Sequence, residues 1–241
     1  MNAALTLLDL SWPVRPGMAM FPGDPPMELR PMGAYKTHGF LSHLASLPLH
    51  SGTHVDAPSH VLPGASMLAD LPLARFAGPG ALLDVRQRPG LAVTADDLAP
   101  HLAPLRALAG NSALAFVLLR TGDEARWGAP DYYTAGAHLS PQAAALLAGL
   151  PGLSGVGLDA GSPDPLDADE LPAHRALLGA GLLIVENLRG LDQLPPGAAA
   201  SAFDFLCLPV LGADGSPVRA AALLREATPK ATPKAASGAR P

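Results

Sequence analysis

The sequence predicts a mixed α/β domain. Short apolar runs of strand length recur along the chain, segments with helix-start signals fall between them, and glycine or proline clusters close most of the segments. Strands that alternate with helices give a sheet covered by helices, whatever the strand order. At 241 residues the chain is long enough to bury a sizeable core, and it reads as one domain over residues 1–226.

Taken in order, residues 5–10 read as a strand, and Pro22-Gly23-Asp24-Pro25-Pro26 is a turn cluster that no helix crosses. Residues 41–47 read as a partly buried strand leading into the segment 50–60, and residues 81–85 and 115–119 are apolar runs of buried-strand length. Between those two runs Thr94 caps a helix start, with Asp97 at its third position. Ser140-Pro141-Gln142 repeats the signal: serine caps, proline takes the first helical position, and the helix runs to Gly149. Residues 155–159 form a strand ending in a carboxylate. A helix over residues 172–178, with Asp169 as its expected cap, stops at Gly179 and Gly181, and residues 182–185 form a strand ending at Glu186. From Ala227 a Thr-Pro-Lys repeat predicts a disordered tail over residues 227–241.

Composition narrows the function. A net charge of −5 without a basic cluster argues against nucleic acid or an acidic membrane surface as partner, and points to a small-molecule ligand. No apolar run reaches the roughly 18 residues of a membrane span. The first ten residues lack a basic start and carry Asp9, so no secretory signal is expected and the address is cytoplasmic. The single cysteine, Cys207, allows no internal disulfide and no Cys-rich zinc site, and its setting among Phe203, Phe205 and Leu206 reads as core.

The stretch His50-Ser51-Gly52-Thr53-His54-Val55-Asp56-Ala57-Pro58-Ser59-His60 holds three of the chain's eight histidines beside a carboxylate. Imidazole nitrogen and carboxylate oxygen are ligands for divalent cations such as Zn2+ or Mn2+, and a set without thiolates suits catalysis better than a closed structural site. His50, Gly52, His54 and Asp56 share one parity, so on an extended strand three ligands point to one face, with Gly52 as the gap. Gly52, Thr53, Val55 and above all Pro58 argue against a helix here. Thr53 is expected to hold a ligand in place through its hydroxyl. Neither Ser51 nor Thr53 lies in a G-x-S-x-G elbow, so a serine hydrolase is disfavoured. His38, His43, His101 and His138 read as non-ligands.

His174, in the first turn of a predicted helix, and Glu186, at a strand end, sit where side chains can converge on a cleft. Taken alone they read as surface residues; beside the first cluster they become candidates. Phe21, Trp127, Tyr132 and Tyr133 read first as structural aromatics. Asp164 and the other acids between Asp159 and Glu170 read as loop residues.

The 50–60 segment resembles the HxGTHxDxPxH signature of the cyclase-like metal-dependent hydrolases, which include bacterial kynurenine formamidases and isatin hydrolases. The resemblance extends to Asp9-Leu10-Ser11, Pro22-Gly23-Asp24, Leu119-Arg120-Thr121-Gly122, Gly157-Leu158-Asp159, Leu171-Pro172-Ala173-His174, Ile184-Val185-Glu186-Asn187-Leu188 and a closing hairpin at Asp214-Gly215-Ser216-Pro217-Val218-Arg219. It implies a swivelling β/β/α domain in a homodimer or larger homo-oligomer. It also implies two divalent ions, Zn2+ first and Mn2+ as the alternative. His50, His54 and Asp56 would bind one ion, Asp56 would bridge to a second held by His174 and Glu186, and His60 would be the catalytic acid/base. The activity implied is hydrolysis of a small amide by metal-bound hydroxide, foremost N-formylkynurenine to kynurenine and formate. The alternatives are a cyclic-amide (isatin-like) hydrolase, a cyclase or dehydratase on the same metals, and a non-enzymatic metal-binding homologue. One departure stands out: Ala160-Gly161-Ser162-Pro163 replaces the family's Thr- or Ser-containing segment after the late-strand aspartate, which alters the pocket wall.

Overall fold

The structure is a computed structural model that describes residues 6–111, 113–197 and 203–224. Along the chain run β1 (Thr6–Asp9), β2 (Glu28–Gly33), α1 (Tyr35–His38), β3 (Ser42–Ser46), β4 (His54–Asp56), β5 (Ala77–Asp84), β6 (Ala92–Val93), α2 (Ala95–Gly110), β7 (Phe116–Arg120), β8 (His138–Leu139), α3 (Pro141–Ala148), β9 (Gly155–Leu158), α4 (Pro172–Gly179), β10 (Leu183–Glu186), β11 (Phe203–Leu206), β12 (Gly215–Pro217) and β13 (Ala221–Leu224). The mixed α/β class expected from the sequence is present. The expected tail at 227–241 lies outside the described residues.

The apolar runs β5, β7, β9 and β10 pair parallel in that order, and antiparallel strands extend the sheet on both sides to give β1-β13-β11-β5-β7-β9-β10-β4-β12. Parallel strands carry apolar residues almost without alternation because both faces are covered. On one face Leu98, Leu105, Leu147 and Leu177 from α2, α3 and α4 pack with Leu83, Leu119, Val156 and Ile184. On the other, Phe116, Leu118, Val185, Phe203, Phe205 and the buried thiol of Cys207 form a second core. Each large apolar side chain so buried contributes about 1.5–3 kcal/mol.

The predicted caps at Thr94 and Ser140 form. Asp97 Oδ2 accepts from the Thr94 N–H at 2.7 Å, and Ser140 Oγ accepts from the Ala143 N–H at 3.1 Å. Each such cap is worth about 1 kcal/mol. At α4 the expectation fails, because Asp169 does not cap it. Leu171 precedes the helix in a left-handed conformation (φ 49°), and the Asp164 carboxylate accepts from the Ala173 and His174 N–H groups at 2.8 and 2.9 Å. A turn closed by Ala168 N–H donating to Pro165 C=O folds the chain back, so the acid ten residues before His174 does the capping.

Two further expectations change. Residues 41–47 do not lead as a partly buried strand into the ligand segment: β3 pairs only with β2, in a separate hairpin that leaves Leu29, Met32 and Leu44 exposed. Nor do residues 50–56 form one extended strand. Gly52 has a φ of +59°, a conformation that side-chain-bearing residues avoid, and the chain bends there before β4 begins at His54. Among the described residues no helix is long and apolar enough to cross a membrane.

Candidate metal centre

Register builds the site. Glu186 on β10 lies directly across from His54 on β4, and Ile184 across from Asp56. Val55 and Val185 point into the phenylalanine-lined core, so strand alternation turns His54, Asp56 and Glu186 to the opposite face, where α4 packs. His174, in the first turn of α4, meets them there. On the other edge of β4, Gly215 of β12 pairs with Asp56, and a Cβ on Gly215 would overlap the His50 imidazole. His50 reaches the cluster by the bend at Gly52, not by strand parity.

His50 Nδ1 lies 2.7 Å from Asp56 Oδ1, and His54 Nε2 lies 3.3 Å from the same oxygen and 3.4 Å from Glu186 Oε2. His174 Nε2 is 3.4 Å from Glu186 Oε1. Two ligand groups result, His50 with His54 and Asp56, and Asp56 with His174 and Glu186, each with its ligand atoms within 4.8 Å of one another. Asp56 belongs to both. His60 stands beside them, its ring 4.0 Å from that of His50 and 5.7 Å from that of His174. It also forms an outer, half-buried group with His50 and Asp214, which reaches His60 Nδ1 at 3.6 Å. His38, His43, His101 and His138 join none of these groups.

Each candidate histidine ligand has one nitrogen on a fixed acceptor. His54 Nδ1 donates to the Gly52 carbonyl at 2.9 Å, and His174 Nδ1 donates to Asp164 at 2.7 Å. Both acceptors hold the proton on Nδ1 and leave Nε2 for a cation. His50 Nε2 faces Asp214 at 3.1 Å. Asn187, in a left-handed conformation after Glu186, donates from Nδ2 to the Gly52 carbonyl at 3.0 Å and accepts from the Tyr132 hydroxyl at 2.8 Å. Thr53 does not hold a ligand as expected: its hydroxyl donates to the Asn187 carbonyl and accepts from the Trp12 N–H, which staples the ligand loop to the end of β10. The Ser51 hydroxyl is buried with no hydrogen-bond partner among the described residues, so no base activates it.

Sequence reading missed Asp164, Asp214 and Asn187. Asp164 sat in an acidic stretch where spacing gave it no distinction; only the fold turns it onto His174. Asp164→Asn keeps an oxygen for the helix cap while removing the charge behind His174. We expect metal affinity, measured by competition with a chelator, to fall about 10- to 100-fold. An unchanged affinity would remove this role from Asp164.

The cluster's electrostatics favour added positive charge. Burial works against a charged His50, yet its hydrogen bond to Asp56 and the facing acids raise it to about 9. His174 rises to about 10 in the same way, against its own burial, through Asp164 and Glu186. Burial also pushes Asp56 upward, but the imidazoles of His54 and His50 hold it well below the usual carboxylate range. His60 goes the other way: burial, with His50 and His174 nearby, lowers it. Asp56 is fully buried, and its Oδ2 has no hydrogen-bond partner among the described residues. A buried carboxylate oxygen left bare costs about 1–3 kcal/mol or more. A divalent cation between the two groups removes that cost, and the donor set of imidazoles and carboxylates suits it. The residues present fit metal ions.

The cluster floors a cleft of about 260 Å³, walled by Phe21, Tyr133 and Leu171. Phe21 meets Tyr133 edge to face at 5.4 Å, so two of the four candidate aromatics line the site. Trp127, stacked on Trp12 at 5.1 Å, and Tyr132, bonded to Asn187, are structural.

The family described as "Putative cyclase" matches residues 8–165. A kynurenine formamidase of Salinibacter ruber is 35% identical over 228 residues, covering 92% of this chain and 99% of its own. An isatin hydrolase A from Labrenzia aggregata, solved with benzyl benzoate bound, superposes with a TM-score of 0.75 at 25% identity over 92% of this chain and 94% of that one. A solved chain described as a potential metal-dependent hydrolase with cyclase activity superposes with a TM-score of 0.71 at 25% identity, over 93% of this chain and 100% of that one.

Proposed function

The chain belongs to the cyclase family of metal-dependent hydrolases, and from that premise we propose that it is an arylformamidase-like amidohydrolase, with N-formylkynurenine as the substrate cleaved to kynurenine and formate. One observation carries the reading: a buried carboxylate, Asp56, is shared by two three-ligand groups at the floor of an aromatic-walled cleft, with a further histidine at its side.

In this reading His50, His54 and Asp56 hold one divalent ion and Asp56, His174 and Glu186 a second, Zn2+ first and Mn2+ as the alternative. Ions bound there supply Lewis acidity and bring the pKa of water down to about 7. Phe21 and Tyr133 seat the aryl ring, offering edge and face contacts worth about 0.5–1.5 kcal/mol beyond area burial. His60 turns Nδ1 to Asp214, so Nε2 is the atom that carries a proton to the leaving nitrogen. Positioned proton transfer of this kind is worth about 10²- to 10⁴-fold.

The fold likeness to isatin hydrolase favours a second reading, opening of a cyclic amide on the same ligands. Comparing kcat/KM for N-formylkynurenine, isatin and a simple lactam separates the two. We expect the formamide to lead; a lead for isatin would move the substrate to the cyclic amides.

The reading includes a homodimer in the cytoplasm. The β2–β3 hairpin, an isolated two-stranded unit of marginal stability, exposes Met32, Tyr35 and Phe40, a surface suited to a second copy. A monomer in sedimentation equilibrium would contradict the dimer.

A further inference from the structure

Tyr133 and Gly161 belong to two cavities at once. With Ser162 they line both the cleft over the ligand groups, about 260 Å³, and a second cavity of about 190 Å³ that reaches Leu91 and Leu166 as well as the polar groups of Thr134, His138 and Asp167. Tyr133 stands where the two meet, beside the Gly161–Ser162 segment. Tyr132 packs against the Tyr133 ring edge to face at 4.9 Å and Phe21 at 5.4 Å. The ring also lies against the bare backbone of Gly161, where a Cβ would come 2.6 Å from Tyr133 Cδ1, 2.8 Å from its Cε1 and 3.2 Å from Tyr132 Cε1. Gly161 is not among the residues with positive φ, so the backbone does not require glycine there. What requires it is the space the ring occupies. A cleft of about 260 Å³ lies at the small end for ligand sites, typically about 300–1,000 Å³, and suits one aromatic ring.

We propose that Tyr133, seated on Gly161, is the specificity-determining residue of this site. It caps the aryl group of the substrate at a single ring, and the cavity behind it is the space an extended aryl group takes once the ring is gone. The proposal rests on the aryl-amide reading above, and its test runs on binding, so the two can fail separately. The probes are benzohydroxamate and 4-phenylbenzohydroxamate, whose hydroxamate groups anchor on divalent ions, titrated calorimetrically into the metal-loaded protein.

The natural protein is expected to bind the single-ring probe at least about tenfold more tightly than the biaryl, since one misplaced methylene in a pocket already costs about 10- to 200-fold. In Tyr133→Ala that preference disappears or reverses. Gly161→Ala alone weakens the single-ring probe by displacing Tyr133, and costs much less in the Tyr133→Ala background, where only the 3.2 Å approach to Tyr132 Cε1 remains. Tyr133→Leu gives the same shift in smaller measure and serves if Tyr133→Ala fails to fold. A probe ratio unchanged in both tyrosine variants, or a Gly161→Ala penalty undiminished without the tyrosine, overturns the proposal. If the probe preference shifts as expected while no aryl formamide is hydrolysed, the role of Tyr133 stands and the arylformamidase reading falls.

Discussion

Asp56→Asn is expected to empty both halves of the metal centre. The substitution changes almost no volume at a residue with no exposed surface, so a loss of metal reports on charge and coordination, not on packing. Asp56 is the one residue common to the two ligand groups, and its carboxylate faces His50 and His54 directly. A neutral amide removes the negative charge that both groups share. Metal content measured after purification without chelators should fall from two ions per chain to near none. Turnover should fall by about three orders of magnitude or more, since the electrophilic assistance lost is several kcal/mol and each 1.36 kcal/mol is tenfold. Glu186→Gln provides the contrast: Glu186 belongs to one group only, so one ion should remain. Two ions retained by Asp56→Asn would contradict the shared role.

His60→Ala is expected to do the opposite, keeping the metal and losing the chemistry. His60 takes part in neither group built on Asp56, yet it packs on His50 and lines the same cleft. Removing a positioned proton carrier should lower kcat by about 10²- to 10⁴-fold with metal content unchanged. An active variant would remove the acid/base role. Loss of metal together with activity would instead place His60 among the ligands, in the outer group with His50 and Asp214.

Much of the site was legible in the sequence because its ligand types are rare and closely spaced. Strand alternation put His54 and Asp56 on one face correctly, and the runs that became β5, β7, β9 and β10 were marked by their apolar composition and strand length. Parity failed for His50, since the positive φ at Gly52 breaks the strand between the two histidines; a glycine between ligands was a turn signal as much as a gap. Asp164 and Asp214 act across contacts of 10 and 164 residues in sequence, to His174 and His50 respectively, and no local spacing encodes such distances. Residues 41–47 misled for a different reason. Their mixed spacing fits a partly buried strand, but Leu41 and Leu44 stay exposed among the described residues.

On this proposal the ligands form a two-ion centre that hydrolyses aryl formamides. The direct measurement is formate release from N-formylkynurenine while Zn2+ or Mn2+ is titrated back into chelator-stripped protein. Activity should be absent without metal, rise with added ion and level off at two equivalents per chain. No formate from protein that has bound two ions, or full activity from protein stripped of both, would contradict it.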